Sequence, residues 1–75
     1  MEYYEKLRML REDREPKTTQ QNIADLLGTT QQYYSQYENG SRKLPIEHLT
    51  VLCKFYGVSA DYILGLPENL NYPKR

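Results

Sequence analysis

An all-α fold of five short helices is what this sequence predicts, and three observations predict it. Apolar side chains return at intervals of three and four residues through most of the chain. Each such stretch is closed by a helix-ending residue: Pro16, Gly28, the Asn39-Gly40 pair, Gly57 and Gly65. The Asn-Gly pair, elsewhere a hairpin signal, has helical rather than alternating patterning on its flanks, so here it reads as a helix terminator. With 75 residues, 39% of them hydrophobic, there is material for one layer of packed helices but not for a core plus a deep substrate pocket.

The first helix is expected from Glu2 to about Arg14. Tyr3, Leu7 and Leu10 share a face that Tyr4 and Arg11 also reach, and Glu2 and Glu5 suit the positive end of the helix dipole. Pro16 stops it by pushing the preceding residue out of helical geometry, which leaves Glu15 to Thr18 as a polar loop. Thr19 then caps a second helix, Gln20 to Leu27, with Ile23, Ala24 and Leu27 on its inner face. Gly28 suits the left-handed position after that helix. Thr29 and Thr30 form the link, and Thr30 caps a third helix from Gln31 to Glu38.

Ser41 to Leu44 is read as loop, and Pro45 is placed in the first turn of the fourth helix. That helix buries Leu49, Leu52 and Phe55 or Tyr56 before Gly57 closes it. Ser59 caps a fifth helix, Ala60 to Leu64, ended by Gly65. The expected domain is therefore residues 1–65. Residues 66–75, with two prolines and two asparagines, form an irregular tail whose Leu66, Leu70 and Tyr72 either dock on a neighbouring subunit or begin a linker.

No apolar run approaches the roughly 20 residues that cross a bilayer. The start, Met1-Glu2-Tyr3-Tyr4, lacks a basic region followed by an apolar one, so a cytoplasmic location is expected. Cys53 is the sole cysteine and reads as a small buried hydrophobe. His48, without companion ligands, reads as structural. No paired acids, activated nucleophile, phosphate loop or metal-ligand cluster is legible. The expectation is a protein that is not an enzyme and uses no cofactor and no metal.

The informative stretch is Thr19 to Pro45. Two short helices joined by a glycine-containing link describe a helix-turn-helix unit. In such a unit the second helix lies in the major groove of DNA while the first braces it across the backbone. Small Ala24 sits where the two helices approach. On a wheel of about 100° per residue, Tyr34, Tyr37 and Glu38 fall on one side of the third helix and Gln32, Ser35 and Gln36 on the other. Gln31 projects from its N-terminal end. Glutamine can pair with adenine through two hydrogen bonds, and a threonine methyl can meet a thymine methyl.

Gln20 to Gly28, followed by Ser35-Gln36-Tyr37-Glu38-Asn39-Gly40-Ser41-Arg42-Lys43-Leu44-Pro45, resembles the lambdoid repressor and Cro-like (XRE-type) helix-turn-helix family. The likeness runs from about Leu7 to Gly65. It implies a five-helix lambda-repressor-like domain, acting as a homodimer on double-stranded DNA with a pseudo-palindromic operator. By the same resemblance Gln31, Gln32 and Gln36 become base readers; Tyr33, apart from the resemblance, is a further candidate to reach the bases. The resemblance also makes Gln20 a phosphate contact and Arg42 or Lys43 a backbone contact after the third helix, and pairs Arg11 with Glu38 inside the fold. Thr30, Ser35 and Lys17 are further candidates for the DNA backbone. Two features depart from the family pattern: the link before Thr19 is longer than usual, and aromatic Tyr33 stands where a smaller residue is common.

Each of these residues also has a plainer reading. The glutamines fit an ordinary solvated helix face, Tyr33 fits a ring laid over apolar surface, and Lys17, Arg42 and Lys43 fit free surface charges. Charge is the chief point against DNA binding, because ten basic and ten acidic residues cancel. Residues 16–45 hold three basic and two acidic side chains and are the only net positive third. The leading expectation is thus a DNA-binding transcriptional regulator, acting as a repressor. The alternatives are a protein-interaction module on the same fold, or an antitoxin that also caps a toxin, so that a toxin or an effector is a further candidate partner.

Overall fold

In the computed structural model, which describes residues 1–67, the chain forms five helices. They are α1 (Tyr3–Asp13), α2 (Gln20–Leu27), α3 (Gln31–Glu38), α4 (Ile46–Tyr56) and α5 (Ala60–Leu64). Among the described residues there is no strand, and no helix is long and apolar enough to cross a membrane. Leu70 and Tyr72, named above as candidate docking residues, lie outside the described residues.

Local chemistry sets most boundaries. The Thr19 side chain accepts from the Asn22 N–H at 3.0 Å, and the Asn22 side chain accepts from the Thr19 N–H at 3.1 Å. This reciprocal box satisfies two donors that the first turn of α2 leaves open. Thr30 and Ser59 cap α3 and α5 in the simpler way, each accepting from the N–H three residues on. Gly28, Gly57 and Gly65 end their helices in the left-handed conformation.

Two boundaries differ from expectation. α1 is one residue shorter at each end, with Glu2 and Arg14 as extended flanking residues. Pro45 is the N-cap of α4 rather than a first-turn residue, because its ψ of 156° is extended. Its carbonyl nevertheless accepts the helix's opening bond from Leu49 N–H at 2.9 Å.

The core is Leu7, Ile23, Ala24, Tyr34, Tyr37, Leu52 and Ile63, with at least one residue from every helix. Tyr3, Leu10, Leu27, Leu49, Phe55 and Tyr56 pack around it as half-buried neighbours, so α4 uses both candidate aromatics. Tyr34 and Tyr37, the largest of the fully buried side chains, meet edge to face at 6.1 Å between ring centres. The Tyr37 hydroxyl shares a 3.0 Å hydrogen bond with Nδ1 of His48, which gives the lone histidine its structural partner. Cys53 is half-buried against the core, and burial pushes its thiol pKa up, away from nucleophilic use.

α1 is joined to the rest through rings and cations. Arg14 lies over Phe55 of α4 at 3.8 Å, and Lys6 lies under the Tyr62 ring of α5 at 4.6 Å. Tyr3 accepts from Leu44 N–H at 3.3 Å, holding the loop that follows α3. Gly40 in that loop has φ of 81°, and a Cβ there would stand 2.8 Å from the Tyr4 ring. Glycine is required on both counts.

Candidate nucleic-acid interface

α2 packs directly on α3, and Ala24 of α2, fully buried in the core, asks for no more room than a methyl group. The Gly28 turn between them is closed by the Thr29 N–H donating to the Ala24 carbonyl at 2.9 Å. α3 therefore stands at a fixed angle, with Tyr34, Tyr37 and Glu38 turned inward and buried. The side opposite this buried edge carries Gln32, and Tyr33 stands on the flank beside it, edge-on to Tyr37; both are exposed. Among the described residues no side chain hydrogen-bonds the Gln32 amide.

The inner flank of α3 is a connected polar chain. Arg11 grips Glu38 with two parallel bonds, Nε to Oε2 at 2.7 Å and Nη2 to Oε1 at 2.9 Å, and its Nη1 reaches the Thr18 carbonyl at 3.2 Å. Gln20 donates from Nε2 to Glu38 Oε1 at 3.0 Å, and Gln31 donates from Nε2 to Gln20 Oε1 at 2.6 Å. The carboxylate is nearly sealed, its side chain 3% exposed. Burial alone would raise its pKa. The bonds from Arg11 and Gln20, together with the nearby Tyr34 hydroxyl, outweigh burial and hold the group below the usual carboxylate range. Reciprocally, Glu38 raises the Arg11 pKa. Burial also pushes the Tyr34 phenol well up and the Tyr56 phenol to about 12, so both remain neutral hydroxyls beside the pair.

On the outer flank, Arg42 folds back along α3. Its Nε donates to Gln36 Oε1 at 2.8 Å, its Nη1 reaches the Tyr33 hydroxyl at 3.3 Å, and its guanidinium lies 4.2 Å from the centre of the Tyr33 ring. Lys43 and Lys17 are exposed, and Thr30 is spent in part on capping Tyr33 N–H. Ser35 departs from the expected placement. It lines a cleft of about 270 Å³ with Arg8, Arg11, Glu12, Gln20, Glu38 and Asn39, rather than the ridge with Gln36. The reason is helical phase: residues three and four apart share a face, which groups Ser35 with Gln31 and Glu38.

The arrangement brings Gln31, Gln20, Glu38 and Arg11 together on one flank and Tyr33, Gln36 and Arg42 on the other. Gln32 stands between them, and among the described residues the Lys17 and Lys43 side chains are exposed and hydrogen-bond neither group. Sequence reasoning missed the Asn22 half of the cap and the folding back of Arg42. A Thr-x-x-Asn pattern at Thr19–Asn22 was a readable signal for the first; nothing in the spacing of Tyr33, Gln36 and Arg42 announced the second.

A short, capped helix braced across another and offering an amide and an aromatic ring is the form of a groove-reading element. Residues 7–63 match the helix-turn-helix family, and the chain belongs to it, in its Cro- and repressor-like XRE branch. The chain is 39% identical over 67 residues to the HTH-type transcriptional regulator YobD of Bacillus subtilis, covering 89% of this chain and 58% of YobD. It is 40% identical over 63 residues to the SPbeta prophage-derived HTH-type transcriptional regulator YonR of the same organism, covering 75% of this chain and 58% of YonR. A crystal structure of a transcriptional regulator from Listeria innocua superposes with a TM-score of 0.80 at 25% identity, over 96% of this chain and 65% of that one. The chain thus spans under two thirds of the length of each of these relatives.

Proposed function

We propose that this chain is a sequence-specific DNA-binding transcriptional regulator that inserts α3 into the major groove. The observation that carries the reading is exposed Gln32, held outward by the burial of Tyr34, Tyr37 and Glu38 on the opposite side of α3, with exposed Tyr33 on the flank beside it. In this reading Gln32, with Gln31, Gln36 and Tyr33, meets base edges. Gln20, Thr30, Ser35, Arg42, Lys43 and Lys17 serve the backbone, which positions the helix without carrying sequence information. The internal bonds of Gln20 and Gln31 are compatible with this, since each Nε2 has two hydrogens and only one is used inside the protein. Kinship with proteins named transcriptional regulators supports the same reading. A two-fold dimer on a pseudo-palindromic operator, repression as the outcome, cytoplasmic location and the absence of catalysis complete the proposal.

The test is Gln32→Ala, measured on a selected operator and on random duplex. Specific affinity is expected to fall by about 1–3 kcal/mol while random-duplex affinity holds. An equal loss on both would remove Gln32 from the base readers. Zero net charge favours a second reading, a protein-interaction module on the same fold. A salt titration on random duplex separates the two, because phosphate-driven affinity falls steeply as salt rises and a protein-binding module has none to lose.

A further inference from the structure

We propose that Arg42 is a specificity-setting positioning residue, which locks the Gln36 amide against Tyr33 before DNA arrives and so decides which base edge Gln36 can read. The inference rests on the DNA-binding reading above, and deepens it.

The backbone makes the lock. After α3 the chain turns at Gly40, the Asn39 side chain accepts from Ser41 N–H at 2.9 Å, and Arg42 N–H donates to the Gln36 carbonyl at 3.2 Å. These bonds fix the Arg42 Cα just beyond the helix, from where its side chain runs back over the outer flank. The planar guanidinium then bonds the Gln36 oxygen, bonds the Tyr33 hydroxyl and lies over the Tyr33 ring. Tyr33 is itself set edge-on against buried Tyr37 at 5.6 Å between ring centres, which ties the assembly to the core. Each contact alone is weak in water. Made by one rigid fork, they share a single ordering cost, and lysine lacks the plane to reproduce them.

The consequence is chemical. Pairing with adenine uses a glutamine oxygen and a glutamine nitrogen together. Arg42 takes one of the two lone pairs of the Gln36 oxygen and fixes the plane of the amide, so a two-bond approach to adenine has only the remaining lone pair within that fixed plane, beside the free Nε2 hydrogens. Those match acceptors, purine N7, guanine O6 or thymine O4, and find no partner on the cytosine amino group. Gln32, one turn earlier, keeps both its oxygen and its amide hydrogens. Two glutamines of one helix are thereby given different base preferences by a residue that itself touches no base.

The experiment is a pooled selection on random duplexes with the full chain and its Gln36→Ala, Arg42→Lys and Arg42→Ala variants. Gln36→Ala is expected to flatten preference at one base position. Arg42→Lys keeps a charge for phosphate but not the fork, and should move preference at that same position toward adenine by about fivefold or more, with the Gln32 position unchanged. If Arg42→Lys preserves every preference and Arg42→Ala weakens all sequences alike, Arg42 is a phosphate contact only and the proposal fails. A parent chain that enriches no motif overturns the DNA-binding reading and this proposal with it. A measurement without DNA separates the two failures: by NMR, the Arg42 Nε–H should be protected from exchange in the parent chain and lose that protection in Gln36→Ala. Equal, fast exchange in both would show that no lock exists, whatever the protein binds.

Discussion

α3 meets an arginine on each flank, and the two contacts have nearly the same length. Arg11 Nε lies 2.7 Å from Glu38 on the inner side, and Arg42 Nε lies 2.8 Å from Gln36 on the outer side. Distance therefore says little about what each contact does. The inner pair is charged on both sides and almost sealed, with side chains 11% and 3% exposed, so each ion has given up water and depends on its partner. The outer pair joins an exposed arginine to a half-buried neutral amide, so breaking it strands no buried ion. One arginine holds α3 in the fold, and the other arranges what α3 displays.

The comparison breaks first at Arg11. Arg11→Ala leaves the Glu38 carboxylate buried without its counter-ion, and urea unfolding should show a loss of about 3–5 kcal/mol. A loss below about 1 kcal/mol would mean that water reaches the inner flank as freely as the outer one.

Acid attacks the same carboxylate. Because the folded state holds the Glu38 pKa below its unfolded value, the pair's contribution is fully present above the ordinary carboxylate pKa. It is lost as pH falls through the lower, folded value. Thermal melts taken downward from about pH 5 should decline less in Glu38→Gln than in the parent chain.

Gln20→Ala removes one bond to that carboxylate and frees Gln31, for an expected loss of about 1.5–3 kcal/mol. Thr19→Ala, which opens only the cap of α2, should cost about 1 kcal/mol in the same assay. Arg42→Ala should leave stability within about 0.5 kcal/mol. A large loss there would place the outer flank in the fold rather than on display.

Much of this was legible because it depends on near neighbours in the chain. Thr19, Thr30 and Ser59 cap helices through bonds to residues three positions on, and Gly28, Gly57 and Gly65 end them through their own backbone freedom. Periodicity likewise sorted Tyr34, Tyr37 and Glu38 from Gln32. Pro45 was misplaced by one residue because proline's fixed φ suits the first helical turn and the residue before it alike, and ψ decides between them. Ser35 falls elsewhere than a two-faced helix predicts, because α3 has three kinds of surroundings: core, flank and ridge.

By itself the sequence determined the helices, their order, the inward and outward edges of α3 and the pattern that marks its family. All of these follow from propensity and spacing over a few residues. Only the tertiary structure decided that Gln31 is tethered through Gln20 to the buried ion pair, and that Arg42 turns back onto Gln36 and Tyr33. Those contacts join side chains with long flexible stems across separate elements. Where such a stem points is settled by the packing of everything around it, which no local pattern encodes.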